Sequence, residues 1–307
     1  FSDHCDKSLL DRAETGEFAS ELWQQITANG FHQLGDSASG TTAADTYAFL
    51  KVCGRFAVPL PMSEIILGHS WGLGSLAPCA GLISIGRAHG ATAIQVPWGR
   101  RAARVFAVQA ESLDVTVTDA PVIAQEDINM AGEPRDSVAM GGQLQHIVLA
   151  DDPFAQMALA RTNLMAGTLQ AVLDLGLQFA AEREQLGRSI SKFQAIQHSL
   201  AVVAAEVAAA QRAADAGVDA LGSDRFIAEV AASKARVGEA VGIVAEQVHQ
   251  VHGAMGFTHV HRLHHFTRRL WAWRDEWGNE AYWQRVLGAR LVALGADQVW
   301  NYIATRG

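Results

Sequence analysis

The sequence predicts a mostly helical protein with a small β region in its middle. Long Ala- and Leu-rich segments with apolar residues three or four apart fill the second half, whereas residues 80–150 carry short Val-, Ile- and Phe-rich runs separated by turn residues. Short helical segments with cap residues precede them. We therefore expect an N-terminal helical domain over residues 1–78, a short antiparallel β domain over 79–151, and a C-terminal four-helix bundle over 152–307.

The composition excludes several classes of protein. The 307 residues are 49% hydrophobic and 18% charged, with a net charge of −8, so Lys and Arg are not in the excess that nucleic-acid binding needs. No apolar run approaches the about 20 residues of a membrane span, and no signal-peptide pattern opens the chain, so we expect a cytoplasmic protein without a membrane partner. Cys5, Cys53 and Cys79 lie far apart without CxxC pairing, so we expect neither a metal site nor a disulfide framework.

Cap and turn residues mark the elements of the first half. The segment "SELWQQITANGF" carries a Gly near its end, and "TTAADTYAFLKVCGRF" follows a Ser/Thr-rich start and closes at Gly54. Pro61 and Ser63 precede another apolar run. In the middle region four runs have the strand pattern: "TAIQV", "RVFAV", "LDVTV" and "LQHIVLA".

Three long segments and a tail form the predicted bundle. The first begins near Pro153 and is expected to be largely buried. In the second, six apolar residues recur three or four apart and so share one helix face: Ile190, Phe193, Ile196, Leu200, Val203 and Val207. The third is expected to start with Ser223 or Asp224 as N-cap and to end at Gly253. The tail, from about Trp277, is predicted to be a last amphipathic helix.

Two motifs interrupt these helices. In "EREQLGRSISKFQAIQHSLA", Arg183 and Gly187 are followed by Phe193 and Gln194, and "QVHQVHGAMGFT" closes the third long helix. Either motif alone is also typical of a solvated turn or a helix C-cap. Together with the order of helices, strands and bundle, they resemble the Arg-x-x-x-Gly…Phe-Gln-x-x-Gln and Gln-x-x-Gly-Gly-x-Gly-Phe/Tyr-Thr motifs of the acyl-CoA dehydrogenase family. The segments "KVCGRFAVPLP" and "VPWGRRAARVFAV" extend this resemblance over most of the chain.

The resemblance implies FAD as the cofactor and α,β-dehydrogenation of an acyl-CoA thioester as the reaction. The two motifs would hold the ADP half of the flavin at a subunit interface, with the guanidinium of Arg183 against the pyrophosphate. Gln194 would offer its amide to the adenosine half, Gln250 would do so near the pyrophosphate, and Gly253 would let the backbone approach closely. Ala254 stands where the family has the second glycine of its pair and adds a methyl group there.

Two departures from the family concern the chemistry. The short middle region lacks the Thr-Glu-Pro…Gly-Ser-Asp segment and the Trp-Ile-Thr strand that line the flavin ring in the family. The family's carboxylate that removes the α-proton commonly lies in a Glu-Gly-Thr segment. Here Trp277 stands at the Glu position and Gly278 and Asn279 replace Gly-Thr, so Asn279 is a candidate cofactor contact. Either Glu276 or Asp275 is aimed into the site as the base, or the chain has no base.

These departures favour a degenerate subunit of a mixed assembly. A second acyl-CoA dehydrogenase-like chain would supply the ring site and the base, as in heterotetramers that act on bulky, for example steroid-derived, CoA thioesters. Two alternatives stay open: a self-sufficient homo-oligomer that uses Glu276, and a non-catalytic scaffold subunit that has lost flavin. The electrons would pass to an electron-transferring flavoprotein or to oxygen.

Three other groups of residues are interpreted as structural. His261 and His265 are spaced i, i+4, but no Glu accompanies them at the metalloprotease spacing, so we expect no metal. Lys234 and Arg236 are expected on a solvated helix face. Four tryptophans could line a substrate pocket, although packing of the bundle or of an interface is the simpler interpretation: Trp271, Trp273, Trp277 and Trp283.

Overall fold

Helices, strands and a second set of helices follow one another in the predicted order. The computed structural model describes residues 1–36 and 39–305 and divides into two units, Phe1–Ala160 and Arg161–Gly307. Among the described residues, the first unit contains four short helices and a seven-stranded sheet, and the second contains the long helices of the bundle. One helix, α5 (Pro153–Glu182), runs through the boundary between the units.

Two of the four helices of the first unit carry side-chain caps. The helices are α1 (Lys7–Glu14), α2 (Ser20–Ala28), α3 (Ala43–Arg55) and α4 (Met62–Gly72). Asp6 accepts a hydrogen bond from the backbone of Leu9 at the start of α1. At the start of α3, Thr42 and Asp45 form a reciprocal capping box, a feature that stabilises a helix by about 1 kcal/mol.

The seven-stranded sheet has the order β5-β6-β2-β1-β3-β4-β7. The strands are β1 (Leu82–His89), β2 (Thr92–Pro97), β3 (Ala102–Val108), β4 (Asp114–Thr118), β5 (Ala120–Gln125), β6 (Arg135–Gly141) and β7 (Gln145–Val148). All four predicted strands are present, as β2, β3, β4 and β7. The sheet differs from the antiparallel prediction in one pairing, because β1 and β3 run parallel.

The sheet of the first unit buries one face in a compact apolar cluster. That cluster consists of Ala93, Val96, Val105, Ala107 and Val138. Helix α4 packs on β1 at Gly68, where an added Cβ would lie 2.4 Å from Cγ2 of Ile83. Only glycine therefore allows this helix to lie so close to the sheet.

The second unit is the predicted bundle. After α5 and a small hairpin, β8 (Glu184–Gln185) and β9 (Arg188–Ser189), come α6 (Gln194–Asp219), α7 (Phe226–His252), α8 (Leu263–Asp275), α9 (Glu280–Leu294) and α10 (Ala296–Thr305). Helices α5, α6, α7 and α9 form the four-helix bundle, in which α7 packs against both α6 and α9. A Cβ on Gly176 of α5 would lie within 3.5 Å of Leu200 and Val248, which shows how closely α5 approaches α6 and α7.

Two expectations about the long helices are corrected. Helix α7 begins at Phe226 without a side-chain cap, because the hydroxyl of Ser223 instead donates to Ala220 O and closes the preceding turn. The second correction concerns α5, which is long and apolar enough to cross a membrane by length and composition. In the fold, however, 61% of its most apolar stretch is buried, as expected of a core helix.

Candidate functional site

The chain turns between α5 and α6 through the β8–β9 hairpin. Leu186 and Gly187 at its tip have φ values of 54° and 75°, and two consecutive left-handed residues are typical of a type I′ turn. The hydroxyl of Ser189 donates to Ala180 O over 2.8 Å, which holds the hairpin against the end of α5. The change of chain direction predicted for Gly187 is therefore made by a hairpin that requires the left-handed conformation.

A pocket of about 660 Å³, here called the corner pocket, lies beside this hairpin. Its lining comes from the end of α5, the hairpin, the start of α6, the end of α7 and the glycine-rich turn after α7. Four of the predicted cofactor residues line it: Arg183, Gln250, Gly253 and Ala254. The fold thus joins the two sequence motifs at one pocket of the second unit.

The floor of the corner pocket is apolar and its mouth is polar. Phe179, Phe193 and Ile196 pack on a buried cluster formed by Ala180, Ile190, Leu200 and Val251. The guanidinium of Arg188 lies 4.3 Å from the centre of the Phe193 ring, a cation–π distance. Arg183 and Gln250 are exposed at the mouth. This arrangement suits an anionic ligand with a flat aromatic group, such as a nucleoside diphosphate.

The glycine-rich turn after α7 forms one wall of the pocket. Gly253 has a φ of 57°, and an added Cβ there would meet no atom within 4 Å, so its conformation rather than crowding requires glycine. At Gly256 an added Cβ would lie 2.9 Å from Cβ of His252 and 3.1 Å from Nδ1 of His249. Close packing therefore makes glycine necessary at Gly256, whereas the methyl group of Ala254 is exposed and tolerated.

His252, which the sequence analysis did not single out, also lines the pocket. It is 4% exposed, and its ring stacks on Phe179 with 4.3 Å between the ring centres. Nδ1 of His252 lies 2.8 Å from Val248 O, so this nitrogen carries the proton and donates. Burial lowers the pKa of His252 to about 4, so the ring is neutral near pH 7. Its position inside the motif, between Gln250 and Gly253, is the signal that could have identified it.

Three predicted site residues do not line the corner pocket. Gln194 is the exposed first residue of α6, although its neighbours Phe193 and Ala195 are part of the lining. Asn279 is the N-cap of α9, where its Oδ1 accepts a hydrogen bond from the backbone N–H of Tyr282 over 3.1 Å. Glu276 lies in the turn between α8 and α9.

Glu276 is buried and bound in an ion pair. It is 7% exposed, and its Oε2 lies 2.9 Å from a terminal nitrogen of Arg161, which is 3% exposed. The same guanidinium lies 5.7 Å from the ring centre of Trp273. This ion pair joins the turn after α8 to Arg161 of α5 and so contributes to the structure of the turn.

Lys234 is buried, which corrects the prediction of a solvated face. It is 1% exposed, and its Nζ donates to Arg274 O over 2.6 Å and to Trp273 O over 3.4 Å. These carbonyls belong to the last turn of α8, so the lysine satisfies groups that the helix leaves without internal partners. Arg236 is half-buried and pairs with Glu206 of α6. Burial lowers the pKa of Lys234 to about 8.

Most of the tryptophan cluster packs inside the second unit, in agreement with the simpler interpretation. Trp273, Trp277 and Trp283 are buried, and Nε1 of Trp283 donates to Trp277 O over 3.0 Å. Trp271 is 37% exposed, with the guanidinium of Arg274 5.3 Å from its ring centre. Trp277 holds a left-handed φ of 58°, which is strained for a residue with a large side chain.

The i, i+4 spacing of His261 and His265 does not place both residues on one helix. Helix α8 begins at Leu263, so His261 lies in the segment before it. Nδ1 of His261 accepts a hydrogen bond from the backbone N–H of Leu263 over 3.2 Å. The rings of His261 and His252 lie 4.7 Å apart, so His261 contacts the wall of the corner pocket.

Known proteins resemble this chain in both sequence and fold. A family model described as acyl-CoA dehydrogenase, C-terminal domain, matches residues 149–303. Among curated proteins, the chain is 24% identical over 249 residues to the acyl-CoA dehydrogenase IpdE2 of Mycolicibacterium smegmatis. That alignment covers 75% of this chain and 73% of IpdE2.

Two solved structures share the fold over almost the whole chain. The ChsE4-ChsE5 complex from Mycobacterium tuberculosis contains a chain with a TM-score of 0.79 and 18% identity, over 95% of this chain and 93% of that one. The Tcur3481-Tcur3483 steroid ACAD contains a chain with a TM-score of 0.78 and 19% identity, over 96% and 95%. At these identities the similarity establishes the fold alone.

Proposed function

Because this chain belongs to the acyl-CoA dehydrogenase family of FAD-dependent oxidoreductases, we propose that it is one subunit of a mixed acyl-CoA dehydrogenase whose corner pocket holds the ADP half of FAD. The predicted family, fold class and enzyme class are confirmed, and FAD is confirmed as the cofactor of the family. The observation that carries the proposal is the joint lining of one pocket by Arg183, Gln250, Gly253 and Ala254, which come from two separate motifs.

The residues of the corner pocket fit the ADP half of a flavin. The exposed guanidinium of Arg183 offers paired N–H donors to a pyrophosphate, and the amide of Gln250 offers both a donor and an acceptor. Ala195 belongs to the first turn of α6, where backbone N–H groups without helical partners favour anions. The flat side chains of the floor, Phe179 and Phe193, suit an adenine ring. When bound, FAD supplies the hydride acceptor for dehydrogenation of the acyl thioester.

We propose that the base of the reaction comes from the partner chain. Glu276 forms a buried ion pair with Arg161, and Trp277 occupies the position where the family commonly has its catalytic Glu. A carboxylate engaged in this way is held by its partner instead of being directed at an α-proton. The alternative is a self-sufficient homo-oligomer that uses Glu276, and it requires the Arg161–Glu276 pair to open when substrate binds.

A second subunit would cover the mouth of the corner pocket. Large apolar side chains are exposed on the hairpin and on the segment after α7: Leu186 (93%), Met255 (44%), Phe257 (75%) and Val260 (79%). Such a group of exposed apolar side chains next to a pocket is typical of a protein interface. The heteromeric complexes of the two similar structures support a partner of the same family and a bulky acyl-CoA, for example a steroid-derived one, as substrate. An electron-transferring flavoprotein is the proposed electron acceptor.

The test is flavin retention by Arg183→Ala. A charge-assisted contact with the pyrophosphate is worth about 1.5–3 kcal/mol, so the variant should bind FAD one to two decades more weakly while its circular dichroism spectrum stays unchanged. Arg212→Ala is the matched control, because Arg212 lies exposed on α6 and is absent from the lining of the pocket. Both variants should be purified with and without a co-expressed partner chain and dialysed before the flavin is measured.

Two outcomes would contradict the proposal. Equal flavin content in wild type and Arg183→Ala after dialysis would remove Arg183 from the cofactor site. Absence of flavin from the wild type even with the co-purified partner would favour the scaffold subunit that has lost flavin.

A further inference from the structure

We propose that His252 and His261 act as a pair that positions the glycine-rich turn of the corner pocket, and that binding of a proton to this pair opens the turn. The inference rests on the proposed function only for the identity of the ligand that the turn would release. The behaviour of the turn itself follows from the contacts of the two rings.

The pair joins the two ends of one segment. His252 is the last residue of α7, and His261 lies two residues before α8, so the segment between them is the turn together with the residues that lead into the next helix. The two ring centres are 4.7 Å apart, and the Phe179 ring from α5 packs on His252 at 4.3 Å and on His261 at 6.1 Å. Three rings from three parts of the chain thus hold the turn closed.

The hydrogen bonds of the two rings fix their neutral tautomers. Because Nδ1 of His252 donates to Val248 O, its Nε2 carries only a lone pair, and this buried Nε2 has no hydrogen-bond partner among the described residues. Because Nδ1 of His261 accepts from the Leu263 N–H, the proton of the neutral His261 ring lies on Nε2. In the closed turn, Nε2 of His252 and Nδ1 of His261 are therefore both without a proton, a state that exists only while both rings are neutral.

Protonation of His252 places a proton on its buried Nε2, and protonation of His261 removes the acceptor of the Leu263 N–H; either adds a positive charge to a site that already holds arginines. His249 on α7 and Arg262 at the start of α8 act on the pair, and Arg183 at the end of α5 lines the same pocket. Phe179 provides no compensating charge. Burial lowers the pKa of His252 to about 4 and also lowers the pKa of His261. A proton is therefore bound more readily when the turn is open and the rings are in water.

The size of the effect follows from linkage. A folded-state pKa below the open-state value means that the closed turn is favoured above the open-state pKa and loses that advantage as the pH falls toward the folded value. With about 4 for His252 in the closed turn and about 6.5 for a solvated histidine, the ratio of open to closed turn rises about 20-fold between pH 7 and pH 5.

Hydrogen exchange measured by mass spectrometry tests this on the protein as purified. After correction for the intrinsic exchange rate, amides in the segment from Gly253 to Val260 should lose about 20-fold of their protection between pH 7 and pH 5. His252→Asn should remove most of this loss, which is expected from His252 alone, because its amide can still donate to Val248 O but does not titrate in this range. His252→Phe, which keeps the stack on Phe179, is a second variant without a titrating group. His198→Asn, at an exposed position on α6, should behave like the wild type.

Wild-type protection of the turn that does not change with pH would overturn the inference. It would also be overturned if the folded His252 variants lose protection in acid as strongly as the wild type. Addition of ADP at pH 5 separates the inference from the proposed function. ADP should restore the hydrogen-exchange protection of the turn only if the corner pocket binds a nucleoside diphosphate. If ADP fails to protect the turn while the His252-dependent loss remains, the proposed function fails and the inference stands.

Discussion

Replacement of Glu276 by Gln distinguishes a structural ion pair from a catalytic base. Gln keeps almost the same shape but removes the charge that faces Arg161, so the guanidinium is left as a buried charge without its ionic partner. If Glu276 is a structural residue, the substitution destabilises the second unit. If Glu276 is the base, the substitution abolishes thioester dehydrogenation and has little effect on folding.

The magnitude of the destabilisation follows from the burial of the pair. Both residues are less than a tenth exposed, and removal of one partner of such a pair typically costs about 3–5 kcal/mol. The Gln amide oxygen can still accept a hydrogen bond from the guanidinium, so we expect a loss near the lower end, about 3 kcal/mol. For a unit of this size the loss corresponds to a decrease in Tm of roughly 6–12 °C.

The assay is urea unfolding of the wild type and three variants, followed by circular dichroism. Glu276→Gln should unfold at lower urea than the wild type, whereas Glu246→Gln, at an exposed position on α7, should not. The double variant Arg161→Met with Glu276→Leu should recover much of the lost stability, because apolar groups often replace a buried ion pair without cost. Wild-type unfolding of Glu276→Gln, together with loss of thioester dehydrogenation while flavin stays bound, would refute the structural role and establish Glu276 as the base.

Three further predictions follow from the second unit. Lys234→Met should isolate the titration of Lys234, whose pKa is lowered to about 8 in the folded state. The free energy of unfolding of the wild type therefore rises as the pH increases from that value toward the pKa of the unfolded chain. Urea unfolding should show the wild type gaining ~2 kcal/mol relative to the variant between about pH 7.5 and 9.5. Gly256→Ala should lose about 1–3 kcal/mol in the same assay, because its methyl group would overlap His252, whereas Ala254→Gly should change stability by less. Light scattering should show an oligomer, because the exposed apolar side chains around the corner pocket need a partner surface, and a stable monomer at micromolar concentration would contradict the proposed interface.

Sequence patterns predicted those parts of the fold that depend on near neighbours. The Ser/Thr-rich start of α3, where Thr42 is the N-cap, is a local feature and is present in the structure. So is the apolar face of α6 at Leu200, Val203 and Val207, whereas Ile190 and Phe193, predicted on the same face, lie before the helix. The β6 strand was missed because it begins with Arg135 and Asp136, which resemble a solvated turn. In the fold Asp136 is fully buried and accepts hydrogen bonds from Arg100, which is distant in the sequence. A pattern of neighbouring residues in the sequence cannot show that Arg100 is the partner of Asp136.

The candidate site shows the same limit. The two motifs identified Arg183, Gln250, Gly253 and Ala254, since each lies in a short segment with a characteristic spacing. The environment of Lys234 was not predictable, because a charged residue on a helix is ordinarily solvated and the carbonyls that surround it come from the end of α8. The ion pair of Glu276 likewise depends on Arg161, which belongs to α5 and is distant from Glu276 in the sequence.

The contact between Lys234 and the end of α8 restricts how this chain can change during evolution. Two side chains in an ion pair can be exchanged for another compatible pair, but Lys234 is held by the main-chain carbonyls of Trp273 and Arg274, which no substitution at those positions alters. The contact depends instead on where the helix ends. We expect homologous chains with a lysine at this position to vary in the residues between α8 and α9 while keeping the length of that connection, because an insertion there would displace the carbonyls from the ammonium group.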